Sequence, residues 1–173
     1  RIATLACWSG PVTLAPLPGG LTNLSFRVRD AGSDYVVRCG DDIPAHHIFR
    51  DRERAASVAA FEAGLSPEVV HAEPGLLVLR FIEGRTFGEA DLRREVRRLA
   101  ILLQAVHRGV GRRLRGPANA FWVFQVIRDY GARLGDTTHA GIVDRLEALQ
   151  VPLPIVFGHN DLLPGNLIDD GNR

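Results

Sequence analysis

Hydrophobic and polar residues alternate over the first half of the chain in a pattern that predicts strands. In residues 24–29, which read LSFRVR, every second side chain is apolar, the period of two that is typical of a half-buried strand. The turn-forming stretch DAGSD and the β-branched run YVVRC follow, so these segments together predict a β-hairpin. Two further apolar runs, EVVHA and LLVLRFI, surround the turn EPG and predict a second pair of strands.

Helical patterns interrupt the strands once and then replace them. Residues 50–63 are rich in alanine and are followed by Gly64, which predicts a helix that ends there. Thr86 and Glu89 have the spacing of a helix-capping box, and apolar residues then recur at helical spacing. These apolar residues are Leu92, Val96, Leu99, Leu103 and Val106.

The change from strand to helix patterns falls near Glu83 and predicts an α+β fold with two lobes. The N-terminal lobe, residues 1–82, would hold a small antiparallel sheet with one helix. The second lobe, residues 83–173, would be mainly helical, with further helices near residues 121–134 and 138–149. The apolar run PIVFG predicts a short buried strand within this lobe.

Composition and charge narrow the classes of function. The chain has 21 basic and 20 acidic residues, a net charge of +1, so it has no bulk attraction for nucleic acid or an anionic membrane. Its apolar runs are too short to cross a bilayer, and its start lacks a signal-peptide pattern. Cys7 and Cys39 do not make a disulfide framework. We expect a cytoplasmic protein without nucleic-acid or membrane partners, and its oligomeric state stays open.

The stretch HNDLLPGN carries the strongest chemical signal. His159, Asp161 and Asn166 have the layout H-x-D-L-x-x-x-N, which is the catalytic-loop spacing of phosphoryl-transfer kinases. In that chemistry an aspartate orients or deprotonates the attacking hydroxyl, and an asparagine oxygen binds a metal ion held by ATP phosphates. We therefore assign Asp161 as the catalytic residue and Asn166 as a metal ligand. His159 is expected to support the loop rather than to transfer protons.

Upstream residues supply candidates for a phosphate site. The stretch PLPGGLTNLSFRV, with Gly20, Thr22 and Asn23, either folds over a nucleotide or is an ordinary turn. Protein kinases use a lysine on the third strand to hold the phosphates, and this lysine pairs with a helix glutamate. The chain contains no lysine, so Arg38 would take this role with Glu53, because arginine offers a two-pronged donor to phosphate or carboxylate. Otherwise Arg38 is a solvated strand residue and Glu53 part of an exposed helical ion pair.

Several segments together resemble the choline/ethanolamine kinase family, within the superfamily of aminoglycoside phosphotransferases and protein-kinase-like enzymes. These segments are GGLTNLSFRV, YVVRCG, AGLSPEVV, FIEGRTF and HNDLLPGN. The resemblance implies a bilobal protein-kinase-like fold that binds ATP and Mg²⁺ between its lobes. It also implies that LRFIEG is a hinge, in which the backbone of Arg80, Phe81 and Ile82 hydrogen-bonds adenine and Leu79 lines the pocket.

The resemblance is incomplete at the end of the chain. The family has a second metal-binding aspartate on a strand shortly after the catalytic loop, whereas this chain stops at NLIDDGNR. The Asp-Gly pair predicts a hairpin turn, so we assign Asp169 and Asp170 to that turn rather than to a metal. We expect the fold to be truncated at its C-terminus, with the second ligand beyond Arg173, and the 173 residues alone to be inactive.

The expected function is that of an ATP-dependent small-molecule kinase. It would transfer the γ-phosphate to a hydroxyl of a small alcohol, with choline and ethanolamine as the first candidates. An aminoglycoside, thiamine or a sugar are the alternative acceptors. The alternative that is not an enzyme is a protein that binds a nucleotide without turnover.

Overall fold

The computed structural model describes residues 1–19 and 22–172, and an antiparallel five-stranded sheet dominates it. The strands are β1 (Thr13–Leu17), β2 (Leu24–Asp30), β3 (Ser33–Cys39), β4 (Val69–Glu73) and β5 (Leu76–Arg80). Their order across the sheet is β1-β2-β3-β5-β4. Helix α1 (Arg50–Glu62) lies between β3 and β4 in the chain, and Gly64 follows it with a φ of 73°. The α+β class, the predicted strand pairs and the inserted helix are therefore confirmed.

One face of the sheet is buried, and the other carries Arg38. Val28, Val37 and Val78 are fully buried on the first face, where the N-terminal residues Leu5 and Trp8 pack against them. Neighbouring residues in a strand point to opposite faces of the sheet. The residues directly before and after each of these valines therefore lie on the other face. In the register of β3 and β5 these are the pairs Val36–Leu79 and Arg38–Leu77.

Two helices follow the sheet where one long helical pattern was predicted. They are α2 (Glu89–Arg94) and α3 (Val96–Arg113). Glu95 between them has a non-helical backbone, with φ −98° and ψ 24°. Leu92 and Leu99, on either side of this break, still pack in one core with Phe87. Apolar spacing alone therefore could not reveal the interruption.

The predicted Thr86–Glu89 capping box is wrong. Thr86 belongs to strand β6 (Arg85–Thr86), which pairs with strand β7 (Ile168–Asp169). The N-cap of α2 is Gly88, and its N–H donates to the Asp91 carboxylate at 2.8 Å. Pairing with a strand more than eighty residues away in the chain thus overrides the local capping signal.

The chain forms two compact units, residues 1–118 with 156–173, and residues 119–155. In the second unit, helices α4 (Val123–Leu134) and α5 (Ala140–Ala148) pack together. The helices predicted near these positions are thereby confirmed, while the lobe boundary at Glu83 stays a prediction.

The predicted strand at PIVFG is wrong. Residues 151–163 have no regular secondary structure, and Ile155 is fully exposed. Apolar character alone does not make a strand, since a strand needs a neighbour to pair its backbone groups. No strand among the described residues pairs with this run.

Residues 84–87, which follow β5, pack against the chain directly after the HNDLLPGN loop. Phe87 and Leu99 form a buried cluster with Leu167, and the Phe87 N–H donates to the Leu167 carbonyl at 3.0 Å. Gly84 lies so close to β7 that a Cβ at this position would stand 2.6 Å from the Asp169 carbonyl oxygen. Only glycine fits there, so residues 84–87 fix the position of the chain directly after Asn166.

Carboxylates and arginines reinforce the same region. The Asp91 side chain accepts hydrogen bonds from Arg85 at 2.5 Å and Arg94 at 2.6 Å. The hydrogen bond from Arg85, together with that from the Gly88 N–H, lowers the pKa of Asp91 from 3.8 to about 2. Asp169 accepts a hydrogen bond from Arg98 at 2.8 Å, which joins β7 to α3.

Among the described residues, no helix has both the length and the apolar character that a bilayer span requires.

We predict that Val78→Ala lowers the free energy of unfolding by about 2 kcal/mol, because it removes buried methyl groups and leaves a cavity. Val78 is 0% exposed, whereas Val96, the matched control, is 61% exposed. Denaturant unfolding should therefore show a clear loss for Val78→Ala and little change for Val96→Ala. Equal effects of the two substitutions would contradict the assigned core.

We predict that Asp91→Asn lowers the melting temperature at about pH 7 by an amount that shrinks in acid. The pKa of Asp91 is about 2 in the folded protein and 3.8 by reference. A lowered folded pKa gives stability that is present above about pH 4 and is lost as the pH falls toward about 2. The difference between wild type and variant should narrow over that window.

Glu89→Gln is the control for this prediction, because Glu89 lies on the same helix and its side chain is 84% exposed. It should change the melting temperature little at either pH. A gap for Asp91→Asn that stays constant between about pH 7 and about pH 2 would contradict the role of its charge.

Candidate active site

The chain reverses direction within the HNDLLPGN loop before it enters the core. Asn160 has a φ of 59°, in the left-handed region that asparagine tolerates better than most residues. Pro164–Asn166 then form one 3-10 turn, and Leu167 is buried. This reversal brings Asn166 beside Asp161, five positions earlier in the chain.

Asn166 and Asp161 are joined by two hydrogen bonds. The Asn166 Nδ2 donates to the Asp161 backbone carbonyl at 2.9 Å and to the Asp161 Oδ2 at 2.8 Å. Because the NH₂ group is engaged, the amide oxygen is the part of Asn166 left to accept a ligand. Mg²⁺ prefers oxygen ligands, so the amide oxygen of Asn166 fits a magnesium ion.

His159 contacts the same loop from the other side of Asn160. Its Nδ1 accepts a hydrogen bond from the Asp161 backbone N–H at 3.3 Å. Such a contact suits a residue that supports the loop, and its role in catalysis stays a prediction.

Arg38 and Glu53 form the ion pair that the sequence predicts. Arg38 Nη1 lies 2.8 Å from Glu53 Oε1. Both residues line a cavity of about 610 Å³, together with Gly40, Asp41 and Leu77. The strand arginine and the helix glutamate therefore meet on the face of the sheet opposite the buried valines. Binding of phosphate by this pair remains a proposal.

The segment after β5 offers fewer backbone donors than the resemblance implies. The Arg80 N–H donates to the Glu68 carbonyl at 2.9 Å, and the Phe81 N–H donates to the Asp34 carbonyl at 3.0 Å. Strand pairing thus occupies two of the three N–H groups expected to face adenine. Within the described residues, the Ile82 N–H is the one of these three that donates to no backbone carbonyl. Leu79, on the open face of the sheet, immediately precedes them.

The described part of the glycine-containing loop lies against the start of α1. The Thr22 carbonyl accepts a hydrogen bond from Arg50 Nη2 at 3.0 Å. A Cβ at Gly40 would lie 2.8 Å from Asn23 Oδ1, so Asn23 lies against the backbone after β3. Gly20 lies outside the described residues.

Asp169 is the last residue of strand β7 and pairs with Arg85, whereas Asp170 lies in the predicted turn. Their side chains accept hydrogen bonds from the backbone N–H groups of Gly171 and Asn172, at 3.1 Å and 2.9 Å. Hydrogen bonding by Arg98 lowers the pKa of Asp169. Across residues 1–19 and 22–172, no three or more His, Cys, Asp or Glu side chains cluster as a metal site.

Two arginines contact predicted site residues but were given no role in the site by the sequence, where Arg50 appeared only as a possible helical ion-pair partner of Glu53. Arg27 lies with its guanidinium 4.1 Å from the centre of the Phe81 ring, and it bonds to Asp34 at 2.5 Å. This hydrogen bond lowers the pKa of Asp34. Arg50 donates to Glu53 Oε2 at 2.7 Å. The alternation of β2 could have indicated Arg27, since it shares a face with Ser25, the partner of Arg38.

Three solved structures that superpose on this chain are named as ethanolamine or choline kinases. An ethanolamine kinase from Plasmodium vivax superposes with a TM-score of 0.72 at 18% identity, covering 91% of this chain and 52% of that one. The choline kinase LicA from Streptococcus pneumoniae gives 0.67 at 20% identity, with 89% and 57% covered. A choline kinase from Cryptosporidium parvum gives 0.63 at 16% identity, with 91% and 55% covered. The chain thus spans about half the length of these proteins.

At such low identities these likenesses show the fold alone, which is protein-kinase-like. A search of curated proteins found no significant match. The model of a family described as "Phosphotransferase enzyme family" matches residues 13–173, which includes the sheet, the Arg38–Glu53 pair and the HNDLLPGN loop. The chain therefore belongs to the phosphotransferase enzyme family.

Proposed function

We propose that the protein is an ATP-dependent kinase that phosphorylates a hydroxyl group of a small alcohol. The observation that carries this proposal is the double hydrogen bond from Asn166 to Asp161. It leaves one carboxylate oxygen for an acceptor hydroxyl and one amide oxygen for a cation, side by side. Phosphoryl transfer requires this combination of groups, since its catalysis is mostly positioning and charge neutralisation.

The proposed nucleotide site uses the open face of the sheet. The Ile82 N–H would donate to the base, with Leu79 lining the pocket beside it. Arg38, oriented by Glu53 at 2.8 Å, would bind the phosphates through a charge-assisted hydrogen bond. Thr22 and Asn23, near α1, would border the phosphate end, and Gly20 belongs to the same proposed loop.

The proposed chemical step is a direct displacement at phosphorus. The acceptor oxygen forms a bond to the γ-phosphorus, the bond from that phosphorus to the β–γ bridging oxygen breaks, and ADP leaves. Asp161 orients the hydroxyl and takes its proton. Asn166 would hold Mg²⁺, which when bound neutralises charge on the phosphates. Further ligands would come from the phosphates and water, as is usual for this ion.

Choline and ethanolamine are the first candidate acceptors. The support is that superposable structures are named as choline and ethanolamine kinases, although the fold does not decide the acceptor. Aminoglycosides, thiamine and sugars are the other candidates. We further propose a cytoplasmic protein with lobes divided near Glu83, acting on small molecules rather than nucleic acid or membranes, in keeping with its net charge of +1.

A screen of acceptors tests the proposed function. The protein encoded by the complete gene is incubated with ATP, Mg²⁺ and a panel of small alcohols, and ADP release and phosphorylated product are measured. We expect ADP formation that depends on one class of alcohol. Nucleotide binding without alcohol-dependent ADP release would instead identify a non-catalytic nucleotide-binding protein.

We predict that Asp161→Asn lowers kcat by about 10²–10⁴-fold, because the amide cannot take the hydroxyl proton. Nucleotide affinity, measured by calorimetry, should change little because the base and phosphates do not need this carboxylate. Asp170→Asn is the control, since Asp170 lies in the following turn and should retain turnover. Near wild-type turnover by Asp161→Asn would remove Asp161 from the mechanism.

We predict that Asn166→Ala raises the Mg²⁺ concentration needed for half-maximal activity by about tenfold or more, because a metal ligand and its hydrogen bonds are lost. Asn160→Gly is the control. Glycine adopts the positive φ of Asn160 without strain, and this side chain is not an assigned ligand. The same Mg²⁺ dependence in wild type and Asn166→Ala would overturn the ligand assignment.

A further inference from the structure

Arg50, the first residue of α1, joins three separate parts of the fold through one guanidinium group. Its Nη2 donates to the Thr22 carbonyl at 3.0 Å, its Nε to the Asp41 carbonyl at 3.0 Å, and its Nη1 to Glu53 Oε2 at 2.7 Å. The side chain is only 17% exposed. The loop after β1, the segment after β3 and helix α1 therefore share one partner.

Glu53 is held between two arginines. Its Oε2 accepts from Arg50, while its Oε1 lies 2.8 Å from Arg38 Nη1. A carboxylate bound through both oxygens has one orientation, so Arg50 limits the rotation of the glutamate that fixes Arg38. Loss of Arg50 would leave Glu53 with a single cationic partner and more freedom to turn away.

Gly40 leaves space for the Arg50 guanidinium group. A Cβ at Gly40 would lie 2.7 Å from Arg50 Nη2 and 3.0 Å from the Thr22 carbonyl oxygen. The Arg50 backbone N–H also donates to Asp42 Oδ1 at 2.8 Å, which fixes the start of the helix. Glycine at position 40 is therefore required for the guanidinium to reach the loop.

Arginine suits this position better than lysine does. Its planar group carries five N–H donors in a fixed arrangement, whereas lysine has one ammonium group on a flexible chain. Arg50 reaches its three acceptors with three different nitrogens, Nε, Nη1 and Nη2, and a single ammonium nitrogen cannot occupy all three positions. The positive charge alone does not explain the contacts.

We propose that Arg50 is a positioning residue for the phosphate end of the nucleotide site. It holds the Thr22–Asn23 part of the loop and the Arg38–Glu53 pair in the arrangement that binds phosphate, without touching the nucleotide itself. This inference rests on the proposed function. The inference predicts that nucleotide affinity depends on the fixed hydrogen-bond donors of Arg50 and not only on its positive charge.

The test compares the affinity of the full-length protein for ATP with Mg²⁺ in several variants by calorimetry, with melting temperatures as a check of folding. Arg50→Lys keeps the charge but loses the fixed donors, so we expect affinity about tenfold weaker than wild type. Gly40→Ala keeps every charge but pushes Arg50 away, and a similar loss is expected. Arg93→Lys is the matched control, since the Arg93 side chain is 77% exposed on α2 and is not among the residues that line the cavity.

The possible results separate the two proposals. Weak binding by Arg50→Lys and Gly40→Ala, with Arg93→Lys close to wild type and all variants folded, would support the role of Arg50. Wild-type affinity in a folded Arg50→Lys protein would overturn it and leave the proposed function intact. Should Arg50→Lys fail to fold, Arg50→Gln, which also lacks the fixed donors, decides the matter in the same way. Gly40→Ala alone does not, because a Cβ at Gly40 would also contact Asn23 and Thr22. A wild-type protein that binds no ATP would overturn the proposed function and this inference with it.

Discussion

The hydrogen bonds from the Asn166 amide to Asp161 are the interaction on which the proposed chemistry depends. They decide which end of the amide is free and which carboxylate oxygen is left open. The next residue, Leu167, fixes this geometry, because its side chain is buried and its carbonyl accepts a hydrogen bond from the Phe87 N–H. Gly84 permits the close approach of β7 that follows. An exposed loop is thus positioned by a buried residue directly next to it.

A second theme is the use of arginine as a connector between segments. The chain has no lysine, and two of its important carboxylates each contact two guanidinium groups. Asp91 lies between Arg85 and Arg94, and Glu53 lies between Arg38 and Arg50. Planar guanidinium groups bind carboxylates and backbone carbonyls with fixed directions. The Arg85–Asp91 and Arg38–Glu53 pairs each join a strand to a helix.

Much of the sheet could be predicted from local patterns, and the Arg38–Glu53 pair from the arrangement of a strand lysine and a helix glutamate in protein kinases. Alternation identified β2 and β3, and the order of a strand arginine and a helix glutamate indicated their contact. Local patterns failed where distant contacts decide structure. Thr86 joins a strand through pairing with Ile168, which no capping signal reveals.

The run PIVFG resembled a strand in composition but pairs with no described strand. Arg50 was missed for a related reason. Two of its acceptors are backbone carbonyls, 28 and 9 positions away, and a carbonyl leaves no mark in the residue types. The site was therefore predictable in its side-chain pairs and not in the contacts that position them.

The most direct test of the account is a crystal structure of the full-length protein with Mg²⁺ and a non-hydrolysable ATP analogue. The account predicts that the base accepts a hydrogen bond from the Ile82 N–H, that Arg38 contacts a phosphate, and that the Asn166 amide oxygen binds the metal. A nucleotide bound away from the Arg38 face of the sheet, or a metal without Asn166 among its ligands, would contradict it.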